Sequence, residues 1–193
     1  MKDNYISDDT FDTVNFTQIA LAGGEYENCI FKNCNFENVN LSGFKFTDCE
    51  FIECNLSMTQ LLGTAFREVA FKDCKMYGMS FCDCNEFGMS FTFDNCSLNN
   101  SIFYQSTIRK TVFKNSKLIE VDFSESDLTA CIFSGCDLSG AVFERTNLEK
   151  ADFRNSYNYT IEPSLNRFKK TKFSLSEIQG LLRQLDIEID ENS

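Results

Sequence analysis

Apolar residues return at every fifth position from Phe11 to Phe81 and again, in a shifted phase, from Phe93 to Phe153. The first series runs Phe11, Phe16, Leu21, Tyr26, Phe31, Phe36 and on to Met76 and Phe81; the second runs Phe93, Leu98, Phe103, Ile108 and on to Leu148 and Phe153. All 28 centres are apolar in a chain that is 42% hydrophobic, so the pattern is not a chance alignment. A period of five matches neither the period of about 3.6 of a helix nor that of about 2 of a flat strand, so each unit must send one side chain inward and then turn. Two residues before each centre, Gly, Ala, Val, Ser, Thr or Cys stands in 23 of the 28 units, as at Cys29, Val39, Cys54, Ser101 and Ala151. A large centre beside a small filler is what a narrow interior can pack densely.

Columns also recur at twenty residues: Gly23, Gly43 and Gly63; Asn15, Asn35 and Asn55; Cys34, Cys54 and Cys74. Four units therefore close one coil, and the chain is expected to form an all-β solenoid. In the second phase Phe alternates with Leu or Ile, which places Phe on opposite walls of a square coil. The segments SDLTA, CDLSG, AVFER and ADFRN resemble the repeat unit of the pentapeptide-repeat family. That resemblance implies a right-handed quadrilateral (four-sided) β-helix with coils about 4.8 Å apart.

The expected organisation is an N-terminal cap at 1–10, the β-helix at 11–158 with a phase break at 82–92, and a C-terminal cap or dimerisation segment at 159–193. At the break two residues are inserted, and Glu86 stands where the fourth wall needs an apolar centre. Phe87, helped by Gly88, is expected to turn inward in its place; the insertion is either a tolerated surface bulge or a partner-binding feature. Pro163 is expected to close the repeat. Ser174 and Glu177 form an S-x-x-E capping box, and Ile178, Leu181, Leu182 and Leu185 follow at helical spacing, predicting a short C-terminal α-helix of about ten residues. Ile187 and Ile189, alternating with acids, suggest a terminal strand. The helix either covers the last coil or joins two copies. The end FSLSEIQGLLRQLDIEI is similar to that of the quinolone-resistance and gyrase-binding branch of the family, which implies a homodimer through this end.

Composition removes several functions. Histidine is absent, so there is no imidazole base, and no G-x-S-x-G, P-loop or G-x-G-x-x-G motif occurs. Eight of the ten cysteines sit at the filler position, so their C-x4-C spacing belongs to the repeat and not to a zinc knuckle. No catalytic residue, metal ligand or cofactor-binding residue is expected, no cofactor is implied, and the chain reads as a non-enzyme. The start lacks an apolar signal core and no run of about 18 apolar residues occurs, which points to a cytoplasmic protein without a membrane span.

Net charge is -11, with 15 acids against 6 bases in residues 1–100 and 14 against 12 in residues 101–193. An acidic surface repels nucleic acid and membranes and attracts basic proteins. Two functions are compatible with this. One is a non-catalytic protein-interaction or structural solenoid; its candidate docking patch is Met58, Leu62 and Tyr77, unless these three are scattered. The other, implied by the family branch, is a DNA mimic that binds DNA gyrase or another type II topoisomerase and confers quinolone or toxin protection. Its candidate contacts are Asp48, Glu50, Glu53, Glu68, Asp73, Asp83 and Glu86, each of which is otherwise an ordinary solvated carboxylate. The candidate dimer interface is Ile178, Leu181, Leu182 and Leu185.

Overall fold

The computed structural model describes residues 4–183 together with 185 and 187. Among these residues eleven short strands form two parallel sheets. Strands β1 (Asn4–Ser7), β3 (Gly24–Glu27), β5 (Lys45–Thr47) and β7 (Ala65–Arg67) make one. Strands β2 (Thr10–Asp12), β4 (Ile30–Lys32), β6 (Glu50–Ile52), β8 (Val69–Lys72), β9 (Phe91–Asp94), β10 (Val112–Lys114) and β11 (Ile132–Ser134) make the other. The register advances by twenty residues per coil, pairing Phe11 with Phe31, Phe31 with Phe51 and Phe113 with Phe133. Across the break it advances by twenty-two, pairing Phe71 with Phe93. The chain is a four-sided parallel β-helix.

The walls are numbered by their first centres: Phe11, Phe16, Leu21 and Tyr26. The second and third walls are held by single-residue bridges such as Asn35 to Asn55 and Asp122 to Val142, because a five-residue side leaves little straight backbone between corners. The centres from Phe31 to Phe153 are buried, and the first wall stacks its rings nearly parallel, Phe113 and Phe133 at 5.1 Å and 3°. Rings of different walls meet edge to face, as Phe103 and Phe113 do at 6.0 Å and 89°. Both geometries suit the aromatic quadrupole.

The aromatic columns change sides at the break. Before it, Tyr26, Phe46 and Phe66 stack on the fourth wall, next to the first. From its leading side onward, Phe81, Phe103, Phe123 and Phe143 stack on the third, opposite the first, while Ile108, Leu128 and Leu148 take the fourth. The expected opposition of Phe walls therefore holds in the second half.

The first-wall stack runs on past Pro163 to Phe173, which lies 5.2 Å from Phe153. Pro163 instead opens a 3-10 turn, Pro163–Leu165, capped by the Glu162 side chain. The short C-terminal helix is present, but it is a seven-residue 3-10 helix, Leu175–Leu181. Its tighter winding follows from its anchor: Gly180 is pressed onto Tyr159, whose carbonyl oxygen would lie 2.3 Å from any Cβ placed there. The capping box does not form. Ser174 stands at the N-cap, but its hydroxyl accepts the Asn155 amide at 3.0 Å and caps nothing in its own helix. Ile187 is not in a strand, and Ile189 lies outside the described residues.

Candidate functional site: the charged edges and the break loop

Most pentapeptides turn their corner two residues after the centre through a left-handed residue, though Asp83 is not one of these. Asp48, Glu53, Glu68 and Asp73 have φ between 50° and 55°, and the same conformation recurs at Asn33, Asn95 and Asn115. This region is least unfavourable for Gly, Asn and Asp, which accounts for their frequency at these positions. The corner amide donates to the next coil, Asp48 N to Arg67 O at 2.9 Å and Glu53 N to Lys72 O at 2.9 Å. The corner side chains are thereby held in straight rows along the rod. In the row after the first wall, side-chain amides donate to carboxylates, Asn95 to Asp73 at 2.6 Å and Asn33 to Asp12 at 3.4 Å. The Thr13 hydroxyl and the Asn33 amide hold the Asp12 carboxyl below the usual range.

These rows divide the seven candidate acids. Asp48 and Glu68 lie on the edge between the fourth and first walls, Glu53 and Asp73 on the edge between the first and second, and Glu50 on the first wall between them. Asp83 lies on a different edge, after the third wall, and Glu86 is in the break loop. Asp73 is half-buried and the others are exposed. Five of the seven therefore frame one side of the rod, around β6 and β8.

The break itself departs from expectation. Phe87 does not turn inward; it is 80% exposed, and the Arg67 guanidinium lies 5.8 Å from its ring centre. Arg67 Nε also donates to the Phe87 carbonyl at 3.3 Å. Phe91 fills the missing fourth-wall volume. It pairs with Val69 at a filler position, is 3% exposed and packs against Phe66, Phe81 and Phe93. A large side chain at a small-residue site is compatible with the coil only because the neighbouring centre, Glu86, has left the interior.

The filler residues have a role that periodicity alone did not disclose. Their donors reach back to the carbonyl of a centre in the preceding coil: Cys54 Sγ to Phe31 O at 3.2 Å, Cys74 to Phe51 at 3.3 Å, Thr64 to Leu41 at 2.8 Å, Thr146 to Phe123 at 2.9 Å. For bonds that span the break the offset lengthens by two, as in Cys96 to Phe71 and Ser101 to Met76. The preference of this position for Cys, Ser and Thr over other small residues was the signal. Nine cysteines are buried, Cys82 alone is exposed, and all ten are unbridged. Burial pushes the Cys49 thiol up to about 11 and those of Cys131 and Cys136 up to about 12, so they remain protonated donors. Among the described residues no cluster of His, Cys, Asp or Glu could hold a metal ion, and no helix is long and apolar enough to cross a membrane.

Met58 and Tyr77 are exposed neighbours on adjacent coils, joined by Met58 N to Tyr77 O at 2.8 Å. Met58 spreads over Gly78, where a Cβ would lie 2.6 Å from its sulfur. Leu62, 69% exposed, faces Met58 across a shallow groove that also takes in Ser80 and Asp83; Tyr77 stands outside it. At the C-terminal end Ile178 and Leu185 are exposed and Leu182 is half-buried, whereas Leu181 packs against the core.

Models of the pentapeptide-repeat region match residues 44–121 and 106–181, and a model of eight pentapeptide repeats matches residues 11–48. No curated protein matches the chain in sequence. Among solved structures, a trypsin-treated variant of QnrB1, a plasmid-mediated fluoroquinolone resistance protein, superposes with a TM-score of 0.73 at 18% identity, covering 97% of this chain and 92% of that one. A second trypsin-treated variant gives a TM-score of 0.64 at 18% identity, covering 97% of this chain and all of the other.

Proposed function

This chain belongs to the pentapeptide-repeat family, and from that premise we propose that it is a non-catalytic scaffold that binds a basic protein surface through the acidic side of its N-terminal half. The observation that carries this reading is the framing of β6 and β8 by Asp48, Glu53, Glu68 and Asp73 on rows fixed by the corner backbone, with Glu50 on β6 between them. Carboxylates held in position bind a complementary surface without the ordering cost that flexible acids would incur. The core offers no counter-argument, since its centres are filled by side chains and burial pushes the thiols of Cys49, Cys131 and Cys136 up. A soluble location in the cytoplasm fits the reduced cysteines.

A second, narrower reading makes the partner DNA gyrase or another type II topoisomerase, with protection from quinolones or toxins as the result. The acidic side and the fold shared with QnrB1 favour it. A net charge of -11 along a rod of about 35 Å is one charge per about 3 Å, against one per about 1.7 Å in duplex DNA, so the mimicry is diluted. Pairing of two copies through Ile178, Leu182 and Leu185 belongs to the same reading; Leu181 is already committed to its own core.

Binding of the purified protein to gyrase at low ionic strength, with and without Glu50→Lys, Glu53→Lys and Asp73→Lys, tests both readings. Saturable binding that shields supercoiling and is lost in the triple variant supports the narrower one. Absence of binding removes gyrase. The broader reading falls if the same triple variant captures the same basic partners as the parent chain.

A further inference from the structure

The edge between the fourth and first walls reverses its charge at the break. Its corner residues are Asp8, Asn28, Asp48 and Glu68 before the break and Lys110, Ala130, Lys150 and Lys170 after it. All eight share the left-handed conformation, with φ between 50° and 62°, so their side chains leave the rod along one line. Glu25, Glu27 and Glu50 flank the acidic stretch, and Arg109, Arg167 and Lys169 flank the basic one. The backbone accounts for Asp8, Asn28 and Asp48 but not for Glu68, Lys110, Lys150 and Lys170: a left-handed corner favours Gly, Asn or Asp, and Glu and Lys gain nothing there. Counter-charges within the chain leave the rows largely free. Lys45 is paired with Glu25, Arg67 lies over Phe87, Arg109 is paired with Asp127, and Lys150 is 3.9 Å from Glu149. Lys110 and Lys170 make no ion pair among the described residues.

We propose that two copies of this chain pair side by side and antiparallel along this edge, the acidic stretch of each against the basic stretch of the other, with Phe87 at the two-fold axis. Reading the row as negative, neutral, negative, negative, break, positive, neutral, positive, positive, a two-fold axis through the break sets Glu68 against Lys110 and Asp8 against Lys170 of the second copy. Asp48 then meets Ala130 and Asn28 meets Lys150, so like charges in the row are never opposed. The break loop leaves the fourth wall at the centre of this arrangement and presents the 80% exposed Phe87 ring there. An aromatic ring at the middle of a contact with complementary charges on either side is the composition of a closed, isologous interface. The net charge of -11 opposes association at long range, so pairing should be strongest at moderate ionic strength, where bodies are screened more than contacts.

Light-scattering mass measured at about 0.1 M and about 1 M salt, where the Debye lengths are about 10 Å and about 3 Å, tests the proposal. A dimer at the lower salt that dissociates at the higher is expected. Lys110→Glu with Lys150→Glu and Lys170→Glu should abolish it, as should Asp8→Lys with Asp48→Lys and Glu68→Lys. Mixing the two variants should restore a heterodimer, which also shows that both are folded. Phe87→Cys in a Cys82→Ser background should cross-link to its own copy, as a residue beside a two-fold axis must. A parent that stays monomeric at both salts overturns the proposal, and so does a dimer unaffected by either reversal. A salt-resistant dimer lost only with Leu182→Asp would place the contact at the C-terminal end instead. Capture of heparin or duplex DNA by the basic stretch without dimerisation would assign that stretch to a polyanion and equally overturn the edge pairing.

Discussion

At single positions, the structure separates what a residue contributes by size from what it contributes by hydrogen bonding. Cys131 Sγ donates to Ile108 O at 3.0 Å, and Ser101 and Ser126 make the equivalent bond elsewhere. Cys131→Ser should therefore leave stability within about 0.5 kcal/mol, while Cys131→Ala, which leaves that carbonyl with only the Thr111 amide at 3.3 Å, should lose about 0.5–1.5 kcal/mol in urea unfolding. Tyr159 presents the opposite case: its hydroxyl is buried without a partner, and burial pushes its pKa up to about 12. Tyr159→Phe removes an unsatisfied group and should raise the unfolding midpoint, a gain of about 1 kcal/mol. Ser106 Oγ is also buried without a partner, on the first coil beyond the break. Lys150, at φ 60°, would be stabilised as Asn by roughly 0.5–1 kcal/mol, so its retention as Lys suits a surface role better than a folding one.

The elements that periodicity could not place are those where the period fails. Phe91→Ala should cost about 3–5 kcal/mol, because it empties the fourth wall, whereas Phe87→Ala should change stability by no more than about 0.5 kcal/mol. The opposite ranking in thermal or chemical unfolding would restore Phe87 to the interior. The sequence made the walls, the coil length and the two-residue insertion readable, since each is a count. It did not tell which of two aromatics enters the core, because that depends on where the extra residues leave the ladder, and the register of Val69 with Phe91 decides it. The C-terminal helix was readable as amphipathic but not as 3-10, because its winding is set by contact with Tyr159. Gly180→Ala should force that contact apart and cost about 1–3 kcal/mol, with Ile161 losing its bond to the Gly180 carbonyl. Of the candidate acids, the alignment of Asp48 with Glu68 and of Glu53 with Asp73 was legible as twenty-residue spacing. The separation of Asp83 and Glu86 from them was not, as it follows from the corner each occupies.

For the whole molecule, the interior is spent on stability and the edges are left for recognition. Stacked rings, thiols and hydroxyls close the tube over about 35 Å at about 4.8 Å per coil, and the charge pattern is confined to the outside. The proposals for an acidic binding side and for an antiparallel pair both depend on that division. Thiol accessibility reads it directly, because the ten cysteines are distributed between the two environments, nine inside and Cys82 outside. Titration of the native protein with an aromatic disulfide reagent should therefore release one equivalent promptly and the full ten only after denaturation. Prompt reaction of several thiols in the native state, or fewer than ten after denaturation without reductant, would contradict a closed, reduced and side-chain-filled tube.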